Sequence, residues 1–204
     1  MKLTRILLLL ILTSIGCKSD DPAPEPGPLV LANAAIFWVD SEDGVTYESG
    51  EQMGFATFAY QDGITTFELR VNDMEPNTAH AMHLHMGTLE APDRHWNQGK
   101  FVAFCEVESM GRVWLKPFAG DVGNIQVDEN GNGEFELQTD LWSVGTQNET
   151  DILGTVLFIH HKSQDFANEC DPNHTHNPGS HTNAKIAGGT VTLAPTFGVQ
   201  ETPK

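Results

Sequence analysis

Basic residues, cysteine and helical periodicity are all in short supply in this chain. Its 11 Lys and Arg stand against 28 Asp and Glu, a formal net charge of −17 at pH 7. With no basic stripe to neutralise phosphates, nucleic acid is excluded as a partner. An anionic ligand would have to be drawn in by a local positive field against a repelling background. Cysteine occurs three times, so at most one intrachain bridge can form. No stretch sustains a 3.6-residue apolar period and no segment repeats, which removes helical bundles and solenoids from consideration.

What is present begins with a targeting segment. Residues 1–16, MKLTRILLLLILTSIG, set Lys2 and Arg5 before an apolar run from Ile6 to Leu12 and then small residues. That run is too short and too close to the N-terminus to span a bilayer, and the pattern is that of a signal peptide. Cys17 follows directly, and SIGC resembles a bacterial lipobox, whose cysteine receives a diacylglycerol after cleavage, although Ser14 replaces the usual aliphatic residue. An ordinary secretory signal with an incidental cysteine is the alternative. KSDDPAPEPGP, residues 18–28, is proline-rich and acidic, and reads as a tether between membrane and folded domain. The expected division is a signal peptide over 1–16, a lipidated Cys17 with its tether over 17–28, and one domain over 29–204. Such a protein is exported and lipid-anchored in a bacterial cell envelope, on the periplasmic or surface face of the outer membrane. Loss of Lys2 and Arg5 takes its charge to −19. With Cys17 lipidated, a disulfide between Cys105 and Cys170, 65 residues apart, is expected to contribute about 4 kcal/mol through loop closure. A thiolate metal ligand at either cysteine is the other option.

From residue 29 the pattern is β. GFATFAY (54–60) and TFELRV (66–71) are rich in aromatic and β-branched residues, and in the second Phe67, Leu69 and Val71 alternate with Glu68 and Arg70. QDGI between them is a hairpin turn signal. NIQVDENGNGEFELQ (124–138) repeats the device around Gly131 and Gly133, ILGTVLFIH (152–160) is apolar enough for a central strand, and IAGGTVTLA (186–194) supplies a last one. The class expected is all-β, a sandwich or barrel. Two long stretches, roughly 86–123 and 161–185, do not read as strands, and loops of that length on a β scaffold carry function. All nine histidines lie between His80 and His181.

Three of the nine fall in HAMHLH, residues 80–85. Side chains two apart on a strand share a face, so His83 and His85 could converge on one metal ion with Leu84 in the core behind them. His160, ending an apolar strand, could complete the set. Imidazoles suit copper or zinc, whereas calcium and magnesium want oxygen. A lone H-x-H on a strand is as compatible with solvated side chains as with a metal.

Longer blocks narrow the choice. EPNTAHAMHLHMGT, FAGDVGNIQVDENGNGEFE, DILGTVLFIHHKSQD and NAKIAGGTVTL occur in that order and cover most of residues 75–193. They resemble four segments of the Cu,Zn superoxide dismutases, those written around G-F-H-V-H-E, H-x-G-D-L-G-N, I-I-G-R-x-L-V-V-H-x-K-x-D-D and G-S-R-x-A-C-G-V-I. The resemblance implies a Greek-key β-sandwich or barrel of about eight strands. It implies copper held by His83, His85 and His160, and DRHWNQGK (93–100) adds His95 as the fourth ligand. His80 matches a family histidine that braces the site without binding metal. The implied activity is dismutation of superoxide to dioxygen and hydrogen peroxide, with His95 passing protons. Lys185 stands where the family has an anion-guiding arginine, with Lys162 as possible help. A non-catalytic copper-binding lipoprotein on the same fold, buffering or delivering metal, is the alternative.

Departures concentrate on the zinc side. Asp121 matches a zinc ligand, but Phe118 stands where a zinc histidine should, and no histidine lies between His95 and Asp121. Two ligands do not make a closed zinc site, so a family-type site is expected to be absent and the pattern resembles that of copper-only relatives. The aspartate linking the two metals becomes Gln164, and a family cysteine becomes Gly188, which would make Cys105–Cys170 a relocated bridge. His174, His176 and His181 could form a separate metal site or rebuild one with Asp121, and the expectation is a polar loop whose histidines face water and bind metal weakly at most.

Overall fold

The alternation in TFELRV is realised as strand β3 (Ile64–Val71), in which Thr65, Phe67, Leu69 and Val71 are buried and Glu68 and Arg70 face solvent. Strand β2 (Glu48–Gln61) pairs with it antiparallel across Asp62 and Gly63, whose φ values of 51° and 82° are the left-handed pair that a type I′ hairpin requires. The computed structural model describes residues 25–98, 118–166 and 184–195, and among these no helix occurs. None is therefore long and apolar enough there to cross a membrane. The remaining strands are β1 (Val30–Asp40), β4 (Ala79–Gly87), β5 (Pro92–His95), β6 (Asp121–Gln126), β7 (Gly133–Thr139), β8 (Val156–His160), β9 (Lys185–Thr190) and β10 (Thr192–Leu193).

The ten strands of the described residues belong to one sheet, in the order β5-β4-β8-β9-β1-β2-β3-β7, with β6 also on β4 and β10 on β1. The β6–β7 hairpin, bridged at Val127 and Gly133, brings the far end of the sheet back to β4. The circuit is therefore β1-β2-β3-β7-β6-β4-β8-β9, eight strands curled on themselves, with the β3-to-β4 connection passing over β7 and β6 in Greek-key fashion. Closure leaves few open edges and gives the chain one interior.

Ile36, Phe58, Phe67, Met82 and Leu157 are fully buried in that interior. Trp142 packs edge-on to Phe67 at 5.9 Å and donates its indole N–H to the Ala119 carbonyl at 2.6 Å, so its polar edge is satisfied. Truncating Phe67 to alanine should cost about 3–5 kcal/mol. Strand β8 is buried on both faces: Leu157 and Ile159 join the main core, while Val156 and Phe158 pack with Leu89 outside it. This covered outer face is where the histidines gather.

Two readings of the sequence need correction. Residues 92–95, placed within a loop over 86–123, form β5, because β4 offers a free edge at His85 and Gly87 that they pair with. IAGGTVTLA, read as one strand, divides at Val191: β9 pairs with β8 and β1, whereas β10 serves β1 alone. Cys17, Cys105, Cys170, His174, His176 and His181, with the signal peptide and most of the tether, lie outside the described residues.

Candidate metal centre

One strand organises the site. In the antiparallel registers of β4, His83 lies opposite Phe158 of β8 and Asp121 of β6, and His85 lies opposite Val156 of β8 and His95 of β5. On β9, Lys185 lies opposite His160. The period of two sends Met82 and Leu84 into the main core and His83 and His85 to the other face, where Phe158 and His160 also point. Residues from five strands are thus assembled by ladder geometry, with the core holding the opposite face rigid.

Three of the expected ligands come together. Each of His83, His85 and His160 offers a ring nitrogen, and these atoms lie within 4.8 Å of one another. His83 is fully buried, and its Nε2–H donates to Gln164 Oε1 at 2.8 Å. His85 is 3% exposed and donates from Nδ1 to the Asp93 carbonyl at 2.8 Å. Each bond fixes a tautomer by occupying one nitrogen with its proton and leaving the lone pair on the other. The nitrogens left with a lone pair, Nδ1 of His83 and Nε2 of His85, are buried and make no hydrogen bond among the described residues. Burial first, and the neighbouring imidazoles next, with His95 foremost, hold both rings well below the usual histidine range, so they are neutral at pH 7. Buried lone pairs aimed at a common point are costly in an apolar setting, and a transition-metal ion of the kind that imidazole suits, such as copper or zinc, would satisfy them.

His80 sits beneath, 3% exposed, its Nδ1 donating to the His160 carbonyl at 2.9 Å and its Nε2 lying 2.7 Å from Thr78 Oγ1. It ties the end of β8 to β4 without presenting a nitrogen to the site. His95, expected as a fourth ligand, stacks on His83 at 4.2 Å and lies edge-on to His85 at 4.7 Å. Its ligand atom belongs to a second group, with His83 and Asp121, rather than to the first. There His95 Nδ1 is 3.2 Å from Asp121 Oδ1, and Asp121 Oδ2 accepts the Phe118 backbone N–H at 2.9 Å. Phe118 contributes its backbone to the carboxylate and its ring to the edge of His95 at 5.6 Å. Asp121 therefore meets His95 directly, and with His83 the two form a second group whose ligand atoms lie within 4.8 Å of one another.

Several supporting residues were not read from the sequence. Asn124 clamps Gln164 by two bonds, accepting its N–H at 2.9 Å and donating to its carbonyl at 2.7 Å. Phe166 packs 5.6 Å from His83. Phe158 lies edge-on to His85 at 5.3 Å, and its i, i+2 spacing from His160 was the signal that placed it on this face. A Cβ added at Gly188 would stand 2.7 Å from the Phe158 ring, so that ring fills the space beside the residue. Tyr47, which packs on Phe158 at 6.1 Å, carried no local signal.

Comparison with known proteins places these features in a family. The family model described as Copper/zinc superoxide dismutase (SODC) matches residues 52–191. A Cu-Zn superoxide dismutase 1 from Aquifex aeolicus (strain VF5) is 24% identical over 151 residues, which cover 72% of this chain and 84% of that protein. Among solved structures, a mutant SOD-like protein from Bacillus subtilis aligns with a TM-score of 0.55 at 17% identity, over 78% of this chain and 97% of that one. The clock protein EA4 aligns with a TM-score of 0.56 at 22% identity, over 81% and 95% respectively. At such identities the two structures speak to the fold alone.

Proposed function

The chain belongs to the copper/zinc superoxide dismutase family, and on that footing we propose that it is a copper-dependent superoxide dismutase that functions without a family-type zinc site. Support for copper comes from one observation above all: two buried imidazole nitrogens, on His83 and His85, keep their lone pairs because the opposite nitrogen of each ring is pinned. With His160 they supply a three-nitrogen set. Copper bound there would supply one-electron chemistry, oxidising one superoxide to dioxygen and reducing a second to peroxide, which zinc with its single oxidation state could not do.

The protein's own groups then have separable tasks. His83, His85 and His160 hold the ion, and Leu84 and Ile159 behind them keep the strands from yielding. His95 keeps a proton on Nδ1 against Asp121, so its Nε2 is the atom that ligates or takes up and releases a proton toward the substrate. Lys185 supplies a positive charge on the same face, and Lys162, just beyond β8, is the second cation of this proposal. The donor set is what supports operation without a family-type zinc site: among the described residues His95 and Asp121 gather there with His83 alone, fewer than the four ligands of a closed zinc site. We further propose that the domain works in the cell envelope, tethered through a lipidated Cys17, with Cys105 and Cys170 bridged.

A second reading, a copper-buffering or copper-delivering lipoprotein, is favoured by the net charge of −17, which repels an anionic substrate. One experiment separates them. The full chain is loaded with copper, its metal counted and superoxide consumption measured. One copper per chain with turnover supports the enzyme, and the same stoichiometry without turnover supports the carrier. Stoichiometric zinc bound through His95 and Asp121 would refute the copper-only proposal.

A further inference from the structure

The cation on the site's face is held between two rings. Lys185 Nζ stands 5.5 Å from the centroid of Tyr47 and 5.5 Å from that of Phe158. The rings are 6.1 Å apart and tilted by 49°, so together they form an aromatic cleft around the ammonium. Tyr47 is 5% exposed, and its hydroxyl donates to the Gly44 carbonyl at 3.3 Å, which anchors it to the β1–β2 turn. Phe158 is fully buried and set edge-on against His85, 87° and 5.3 Å, so the ring that carries the cation also touches a ligand of the metal site. Glycine at 188 is what lets Phe158 lie there.

We propose that Tyr47 and Phe158 form a two-ring clamp that positions Lys185 beside the metal, making Tyr47 a positioning residue for anion capture. This rests on the reading of Lys185 as the guiding cation. Lysine lacks the forked donors by which an arginine is fixed in one geometry, and a compact charge on a four-carbon stem explores many positions when unsupported. Two ring quadrupoles within cation–π range restrict those positions without neutralising the charge that an incoming anion meets. In a chain this acidic, a positive charge that wandered from the site would lose its local advantage over the surrounding field.

Azide binding to the copper-loaded full chain, followed by its charge-transfer absorption, tests the idea against salt concentration. Lys185→Gln should weaken azide by about tenfold or more and flatten the salt dependence. Tyr47→Leu should weaken it by about two- to fivefold, and Tyr47→Phe, which keeps the ring, should stay within about twofold of the parent. In Lys185→Gln the further change Tyr47→Leu should add nothing, since the clamp then has no cation to hold. Copper per chain is counted throughout, and Tyr47→Met repeats the measurement should Tyr47→Leu fail to retain metal. An unchanged affinity in Lys185→Gln overturns the guiding cation and the clamp with it. A loss in Lys185→Gln with none in Tyr47→Leu or Tyr47→Met overturns the clamp alone. Equal losses in Tyr47→Phe and Tyr47→Leu, or additive losses in the double variant, also overturn it, because they assign the effect to something other than the ring.

Discussion

Replacing Gln164 by leucine tests the tautomer argument at its most exposed point. His83 is fully buried, and among the described residues its Nε2–H has one acceptor at hydrogen-bond distance, Gln164 Oε1 at 2.8 Å. Asp121 Oδ1 is 3.9 Å away, too far to take over without movement. Leucine fills much the same volume and removes the acceptor. A buried donor left unmade costs about 1–3 kcal/mol, so the metal-free protein should lose roughly that much stability. The ring can recover part of it by moving its proton to Nδ1, the nitrogen that must stay bare to bind metal. Copper affinity should therefore fall by about 10- to 100-fold, the range typical of lost outer hydrogen bonds to ligating histidines. That corresponds to about 1.4–2.7 kcal/mol. Competitive copper titration against a chelator of known affinity at pH 7.5 measures the second quantity, and urea denaturation of the metal-free chain measures the first. A variant that binds copper within about twofold of the parent would refute the claim that Gln164 sets the tautomer of His83.

The metal-free protein should also lose stability in acid through His83 and His85. Their folded-state values lie well below 6.5, whereas the unfolded chain takes up protons as pH falls through that value, so stability is full above about pH 6.5 and declines below it. Two such groups give a slope of up to about 2.7 kcal/mol per pH unit, and urea midpoints at several pH values that showed no trend would contradict the neutral assignment. His160→Ala should abolish stoichiometric copper retention on dialysis, while His161→Ala, at an exposed position just beyond β8, should change stability by no more than about 0.5 kcal/mol and leave retention intact. Gly188→Ala should destabilise the fold by about 1–3 kcal/mol in thermal or urea unfolding, because its Cβ would press on Phe158 at 2.7 Å; an unaffected variant would show that the ring yields freely.

The parts of this site visible in the sequence share a physical cause. His83 and His85 were legible because a period of two on a strand forces them to one face, and the apolar run before His160 announced a buried strand to hold it. The QDGI turn was legible because Asp62 and Gly63 are residues that tolerate positive φ, as the turn demands. By contrast, β5 was lost in a loop because Pro92–His95 is short and mostly polar, and it becomes a strand only when β4 presents an edge. Local pattern gives no information about which distant strand will lie alongside.

Pairing register is therefore the step at which reading residues one at a time gives way to the fold. Every residue brought to the metal face from another strand arrives by its position opposite β4 or β8: Asp121 across from His83, His95 across from His85, Lys185 across from His160. A one-residue slip in any of these ladders would turn the side chain to the opposite face of the sheet. Family resemblance supplied those pairings in advance for the histidines, because their blocks align. It could not supply Tyr47, which lies outside the aligned blocks and reaches the site through the ring of Phe158 and the ammonium of Lys185. The clamp proposed for Lys185 extends the same physics from the histidines to the cation beside them. In that proposal two rings from other parts of the chain hold the ammonium, and one of them, Tyr47, is 138 residues away in sequence yet 5.5 Å away in space.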